Sequence, residues 1–201
     1  MSPVRLTLLV TALALCAIFA WYASVKFHTE PISPLQTASV YEKDLDQCRN
    51  RPRVIRFPMS DVYMRGLIDP GTTVRATLGW YLCHPIQVGD LVLYRFSSEK
   101  PPVVKRVVAV GGQSISVEID PAGQGWILTV DKQVIDPAKP YIFGSATAPP
   151  PLKLYADQNH DVIQQGHVVL FSAFPPGDSD SGIFGVVSVE DVIGHVEIDS
   201  H

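Results

Sequence analysis

The stretch Val103 to Gly112 reads VVKRVVAVGG and sets a lysine and an arginine inside a run of valines closed by two glycines. Alternate side chains of a strand share a face, so Val103, Lys105, Val107 and Ala109 point one way and Val104, Arg106, Val108 and Val110 the other. Each face is apolar apart from one cation. A solvated strand face mixes in Thr, Ser or Glu, and neither face does, so at least one of the two cations sits among apolar neighbours. Two readings of Lys105 follow. Its amine snorkels out or pairs with a carboxylate, or it is a desolvated amine used as a base.

Working outward, the same short apolar pattern recurs on both sides. RVIRFPM, TTVRATL, DLVLYRF, SISVEI, GWILTVD and HVVLFSAF are each bounded by Gly, Pro or Asp and read as strands. After residue 50 the helical candidates amount to little more than VSVEDVIG, and residues 136 to 151, DPAKPYIFGSATAPPP, are loop-like. The body is therefore mainly β, a domain over residues 51–201 with an inserted excursion at about 116–160. A net charge of -4 argues against a nucleic-acid partner. The six histidines show no ligand spacing, and neither a metal nor another cofactor is implied. Cys16 lies in the apolar N-terminal run; Cys48 and Cys83 could pair, and the balance leans slightly against that bridge.

Residues Leu6 to Val25, LTLLVTALALCAIFAWYASV, carry no charge, with Arg5 before them and Lys26 after. Twenty helical residues at about 1.5 Å each cover roughly 30 Å, the apolar thickness of a bilayer. Residues 1–25 thus read as a transmembrane anchor and 26–50 as a tether. Ala20 and Ala23 have the spacing of a signal-peptide cleavage site, but the length of the run favours retention. The flanking charges favour an N-in, single-pass orientation in an inner or plasma membrane, with the β domain on the extracytoplasmic, periplasmic side and membrane lipid as a partner.

With an anchor and strands in place, VVKRVVAVGGQSI resembles the lysine-bearing segment of the type I signal peptidases, membrane-anchored serine endopeptidases that use a Ser/Lys pair to remove signal peptides. Three further stretches agree in order. GDLVLYR, Gly89 to Arg95, is similar to the strand before the lysine segment, and WILTVDKQVI, Trp126 to Ile135, to the hairpin that follows it. GHVVLFSAFPPGDSDSGIFGVVSVEDVIGHVE, from Gly166, resembles the last motif, where GxYFVxGDN leads to SxDSRYWGxVPxxxxxG. The resemblance covers most of residues 60 to 197. It implies a signal-peptidase-like β-fold behind an N-terminal transmembrane helix, Lys105 as general base, and a signal-peptide or pilin-like segment of an exported protein as partner. A serine hydroxyl is a poor nucleophile until a neighbour takes its proton, and an amine can do so only when neutral, a state favoured by burial among aliphatic side chains.

The departures gather at the reactive centre. The family's nucleophile motif, SMxPTLxxGxxV, finds its framework in YMRGLIDPGTTV, Tyr63 to Val74: Met64, Gly71 and Val74 keep the spacing, but Tyr63 takes the serine position and Gly66 the proline. Ser60, three residues earlier, is the best substitute hydroxyl, ahead of Thr72, Thr73 and Cys83. Asp178 stands where the family has a serine that hydrogen-bonds the lysine, so a carboxylate is expected beside Lys105. Asp180 matches the family's aspartate, with Arg106 to pair with it, while the second arginine has become Gly182 and GDN has become Ser172-Ala173-Phe174. The candidate residues are Lys105, Ser60 and Tyr63 for catalysis, Arg106, Asp178 and Asp180 for organising the site, and Met64, Trp80 and Tyr81 for holding a peptide. Loss confined to one centre, with the distant framework intact, implies a fold kept for another use. The expectation is a non-catalytic assembly or chaperone role; the alternative is an active peptidase with Lys105 as base and Ser60 as displaced nucleophile.

Overall fold

The structure, a computed structural model, describes residues 48, 50, 52–60, 62–97, 101–136, 140–174 and 180–199. The chain divides into two compact units, Met1–Glu42 and Lys43–His201, and every described residue belongs to the second. The anchor read over residues 1–25 and nearly all of the tether lie outside the described residues. Among the described residues, no helix is long and apolar enough to cross a membrane.

Among the described residues, ten strands form two antiparallel sheets. The larger contains β1 (Arg53–Pro58), β2 (Thr73–Leu78), β3 (Leu91–Tyr94), β4 (Val103–Val110), β8 (His167–Phe171), β9 (Val187–Ser188) and β10 (Val192–Ile198), in the order β1-β2-β10-β3-β4-β8-β9. The smaller sheet holds β5 (Ile115–Ile119), β6 (Trp126–Val130) and β7 (Gln133–Val134). The last strand in the chain thus inserts between the β1–β2 hairpin and β3. The central VVKRVVAV stretch is β4, paired on one side with β3 and on the other with β8. A strand with neighbours on both edges and apolar residues on both faces is covered above and below. Accordingly Val104, Val107, Val108 and Ala109 are all buried.

Three apolar clusters account for that cover. Leu93 and Val104 meet Met59, Met64, Ile68, Val74 and Ala76 from the β1–β2 region. On the opposite face of β3 and β4, Val92, Tyr94 and Val107 meet Val168, Leu170, Val187 and Val192. A third cluster joins Val108, Val169 and Phe171 to Ile115, Val117 and Leu128 of the smaller sheet and to Leu152 and Ala156. The last two residues belong to α1 (Pro151–Gln158), which the proline-rich sequence did not announce. Proline is tolerated in a first helical turn, where the missing N–H has no intrahelical partner to lose.

VSVEDVIG, read as helical, instead forms β9, a 3-10 turn over Val189–Asp191 and the start of β10. The sheet ladders on both sides of β10 outweigh a local helical pattern of only a few residues. The Cys48 and Cys83 sulfurs are bonded, with Cα atoms 6.2 Å apart, against the reading that left them unpaired. The 3-10 turn Trp80–Leu82 after β2 brings Cys83 to Cys48, a proximity that spacing along the chain does not reveal.

Candidate active site

Lys105 is a fully buried side chain, at 0% exposure. Alternation along β4 puts it on the face of Val103 and Val107, with Val92 of β3 as its cross-strand partner. Phe171, the last residue of β8, pairs with Arg106, so extending the register by one residue sets Ser172 opposite Lys105. The Lys105 amine and the Ser172 hydroxyl are hydrogen-bonded at 2.8 Å, Nζ to Oγ. Ser172 is also fully buried, so amine and hydroxyl meet away from bulk water.

A second layer of polar groups fixes this pair. Asp180, 1% exposed, precedes the one-turn helix α2 (Ser181–Phe184) and caps it, accepting from the Gly182 N–H at 3.0 Å. Its carboxylate also accepts from the Ser172 N–H at 3.3 Å and from the Tyr141 hydroxyl. Tyr141 is stacked on Phe171, with ring centroids 4.4 Å apart. The Ser181 hydroxyl accepts from the Leu170 N–H at 2.9 Å, binding α2 to β8. Asp180 therefore holds the backbone of Ser172, not the lysine itself.

The motif turn lies beside this network. Val62–Met64 forms a 3-10 turn, Met64 is fully buried, and the Tyr63 carbonyl accepts from the Phe174 N–H at 2.9 Å. Gly66, where the family has proline, adopts φ of 91°. Proline is locked near a φ of about -65°, so the turn as folded excludes it. The replacement of the second arginine also has a steric cause. A Cβ on Gly182 would come within 2.8 Å of the Phe143 Cβ, leaving no room there for any side chain.

Several candidate residues stand elsewhere than the motifs imply. Ser60 is exposed, two residues beyond β1, and the hydroxyl at the amine is that of Ser172. Arg106 points to the other face of β4, and its guanidinium pairs with Asp136 at 2.6 Å in place of Asp180. Asp178 lies outside the described residues. Trp80 stacks on His84 at 3.7 Å between ring centroids, and the Tyr81 hydroxyl donates to Asp90 at 3.0 Å. Burial first, and then the Asp90 carboxylate, push the Tyr81 phenol far above its ordinary value and keep it a donor. Tyr81 packs against the Val92–Val107 cluster, on the face that carries Lys105. Sequence reasoning missed Ser172, Tyr141 and Ser181. The one available signal was a serine at the first position of the altered GDN stretch, directly after a strand.

The comparisons with known proteins follow this geometry. The family model described as signal peptidase, peptidase S26 matches residues 4–200. Among solved structures, a signal peptidase I from Enterococcus faecalis V583 is similar with 13% identity and a TM-score of 0.37, over 56% of this chain and 97% of that one. No curated protein matches the chain.

Proposed function

Because the chain belongs to the signal peptidase family, peptidase S26, we propose that it is an endopeptidase of that type acting on signal-peptide segments of exported proteins, with Ser172 and Lys105 as its reacting pair. The observation that carries this reading is the contact of 2.8 Å between a fully buried amine and a hydroxymethyl. With the amine neutral, the Ser172 hydroxyl donates to it and can pass over its proton while Oγ attacks a scissile carbonyl carbon. The amine then returns the proton to the departing nitrogen, and water releases the acyl group in a second round. The contribution of Asp180 is positional, through the Ser172 N–H, the Gly182 N–H and Tyr141. In this reading the hydroxyl has moved from the Tyr63 turn to the end of β8.

Exposed Val62 and Leu67 flank Tyr63 in sequence, and Phe174, also exposed, is bonded to it through the backbone. They offer an apolar surface to an extended, apolar segment. Ser172 is enclosed, so a substrate reaches its hydroxyl only when the groups over it move aside. The apolar run Leu6 to Val25 would hold the domain at the extracytoplasmic membrane surface, where such segments emerge.

The test is cleavage of a signal-peptide-bearing precursor by the purified full chain in detergent. Ser172→Ala and Lys105→Met should each abolish it, and Ser60→Ala should leave it intact. Retention of cleavage in Ser172→Ala would remove the proposal.

A second reading rests on Tyr63 at the motif's serine position together with the complete enclosure of Ser172. There the fold retains a signal-peptide or pilin-like segment without cutting it, as an assembly or chaperone factor. Binding of the uncleaved precursor by the unmodified chain, undiminished in Ser172→Ala, would favour it.

A further inference from the structure

The Cys48–Cys83 bridge lies against an imidazole. His84 Nδ1 is 3.4 Å from the Cys83 sulfur and 3.8 Å from the Cys48 sulfur. The same nitrogen is 3.0 Å from the Trp80 carbonyl oxygen. A carbonyl only accepts, so the hydrogen bond places a proton on the nitrogen that faces both sulfurs. The Trp80 indole stacks on the imidazole with an interplanar angle of 8°, which fixes the ring over the bridge. The Cys48 sulfur is itself 3.2 Å from the Trp80 carbonyl, so a thiol there has an acceptor already in place. Both sulfurs thus have partners suited to the reduced state as well as the bridged one.

Access is unequal. Cys48 is buried at 5% exposure, whereas Cys83 and His84 are half-buried. His84 also lines a cavity of about 360 Å3 with Tyr81, Pro85, Ile86 and His167. An incoming thiolate meets Cys83 first, and Cys48 becomes the leaving group beside the donor.

We propose that Cys48, Cys83 and His84 form a thiol–disulfide exchange site whose substrate is a dithiol, with His84 as the proton donor. A thiolate of the dithiol attacks Cys83 Sγ, forming a mixed disulfide and breaking the Cys48–Cys83 bond. The electron pair of that bond goes to Cys48 Sγ, which takes the proton held on His84 Nδ1 while the ring gains one from water at Nε2. The second thiol of the dithiol, deprotonated by solvent, attacks its own mixed-disulfide sulfur and frees Cys83 as a thiolate, protonated in turn. The dithiol is oxidised to a disulfide, and the chain gains two thiols. The site is independent of the Lys105–Ser172 pair and of the proposed peptidase activity. Its 35-residue separation encloses β1, the Tyr63 turn and β2, so the exchange opens or closes a loop that includes part of the peptidase region.

The test is timed alkylation and mass measurement of the native full chain treated with dithiothreitol. Alkylation of Cys48 and Cys83, counted apart from Cys16, should appear while the chain remains folded by circular dichroism. His84→Ala should slow their appearance by about a hundredfold, the lower range for a positioned acid, and His84→Gln should do the same if the first variant is unstable. Cleavage activity of Ser172→Ala bears on the peptidase proposal alone, and its exchange rate should equal that of the unmodified chain. A bridge that yields thiols only after denaturation would overturn the proposal, as would exchange at an unchanged rate in both His84 variants.

Discussion

At the residue scale, Lys105 and Ser172 make opposite demands on stability, and this separates their roles. Ser172→Ala removes the hydroxyl from an amine that stays enclosed, and a buried polar group that loses a partner costs about 1–3 kcal/mol. Lys105→Met instead replaces the amine by an apolar end of similar volume, and exchanging a buried polar group for a well-packed apolar one is often neutral or stabilising. Urea unfolding should therefore show Ser172→Ala less stable and Lys105→Met close to the unmodified chain, with both inactive. Equal losses would indicate that the amine contributes to the fold itself. Gly66→Pro restores the family's residue but requires abandoning φ of 91°, and should cost about 1–3 kcal/mol by the same measurement. That one of the two cations on β4 is enclosed was legible, because the valines around them state their environment locally. Ser172 was not, because its place opposite the lysine depends on a register between strands 67 residues apart, and no local pattern encodes that pairing. Arg106 differs: strand alternation already sets it on the face opposite Lys105, and there it pairs with Asp136.

At the scale of elements, the β6–β7 hairpin shows how a polar bracket supports a short sheet. Asp131 and Lys132 occupy its turn with φ of 47° and 67°, the left-handed pair that a two-residue hairpin requires. Lysine pays for that conformation, so Lys132→Gly should stabilise the domain by about 0.4–1 kcal/mol in thermal unfolding. The Asp131 carboxylate accepts from the Gln113 side chain at 2.7 Å and from the Ser114 N–H at 3.0 Å, which together hold its carboxyl below the usual value of 3.8. A folded-state value below the unfolded one adds stability above the unfolded value, and that stability fades as the pH falls through the folded value. Asp131→Asn should therefore melt at a lower temperature than the unmodified chain at pH 7, and the gap should close as the pH drops below about 3.8. A gap that is constant with pH would exclude the carboxylate as the cause. The hairpin is expected from the resemblance of WILTVDKQVI to the one that follows the lysine segment, and its first strand from the short apolar pattern of GWILTVD. Helix α1 gave no such notice: only Leu152 and Ala156 of its eight residues are buried, too few to set a period, and its start lies in a proline run.

At the scale of the whole molecule, the order β1-β2-β10-β3 makes the C-terminal strand the link between the first hairpin and the rest of the larger sheet. β10 pairs with β2 along Gly194–Ile198 and with β3 along Val192–Val196. The disulfide cannot substitute for it, because Cys48 precedes β1 and Cys83 follows β2, so the bridge closes the hairpin on itself. Gly194 is the point where this link is most constrained. A Cβ there would come within 2.8 Å of the Thr77 carbonyl oxygen, a backbone atom of β2 that cannot turn aside as a side chain can. Gly194→Ala should push β10 away from β2 and cost about 1–3 kcal/mol, the usual range for overpacking. The loss should be visible by hydrogen exchange as weaker protection of β1 and β2 amides, with β4 and β8 protected as before, whether the bridge is oxidised or reduced. Equal loss of protection across all seven strands would mean that the sheet opens as one unit and that β10 is not its separable joint.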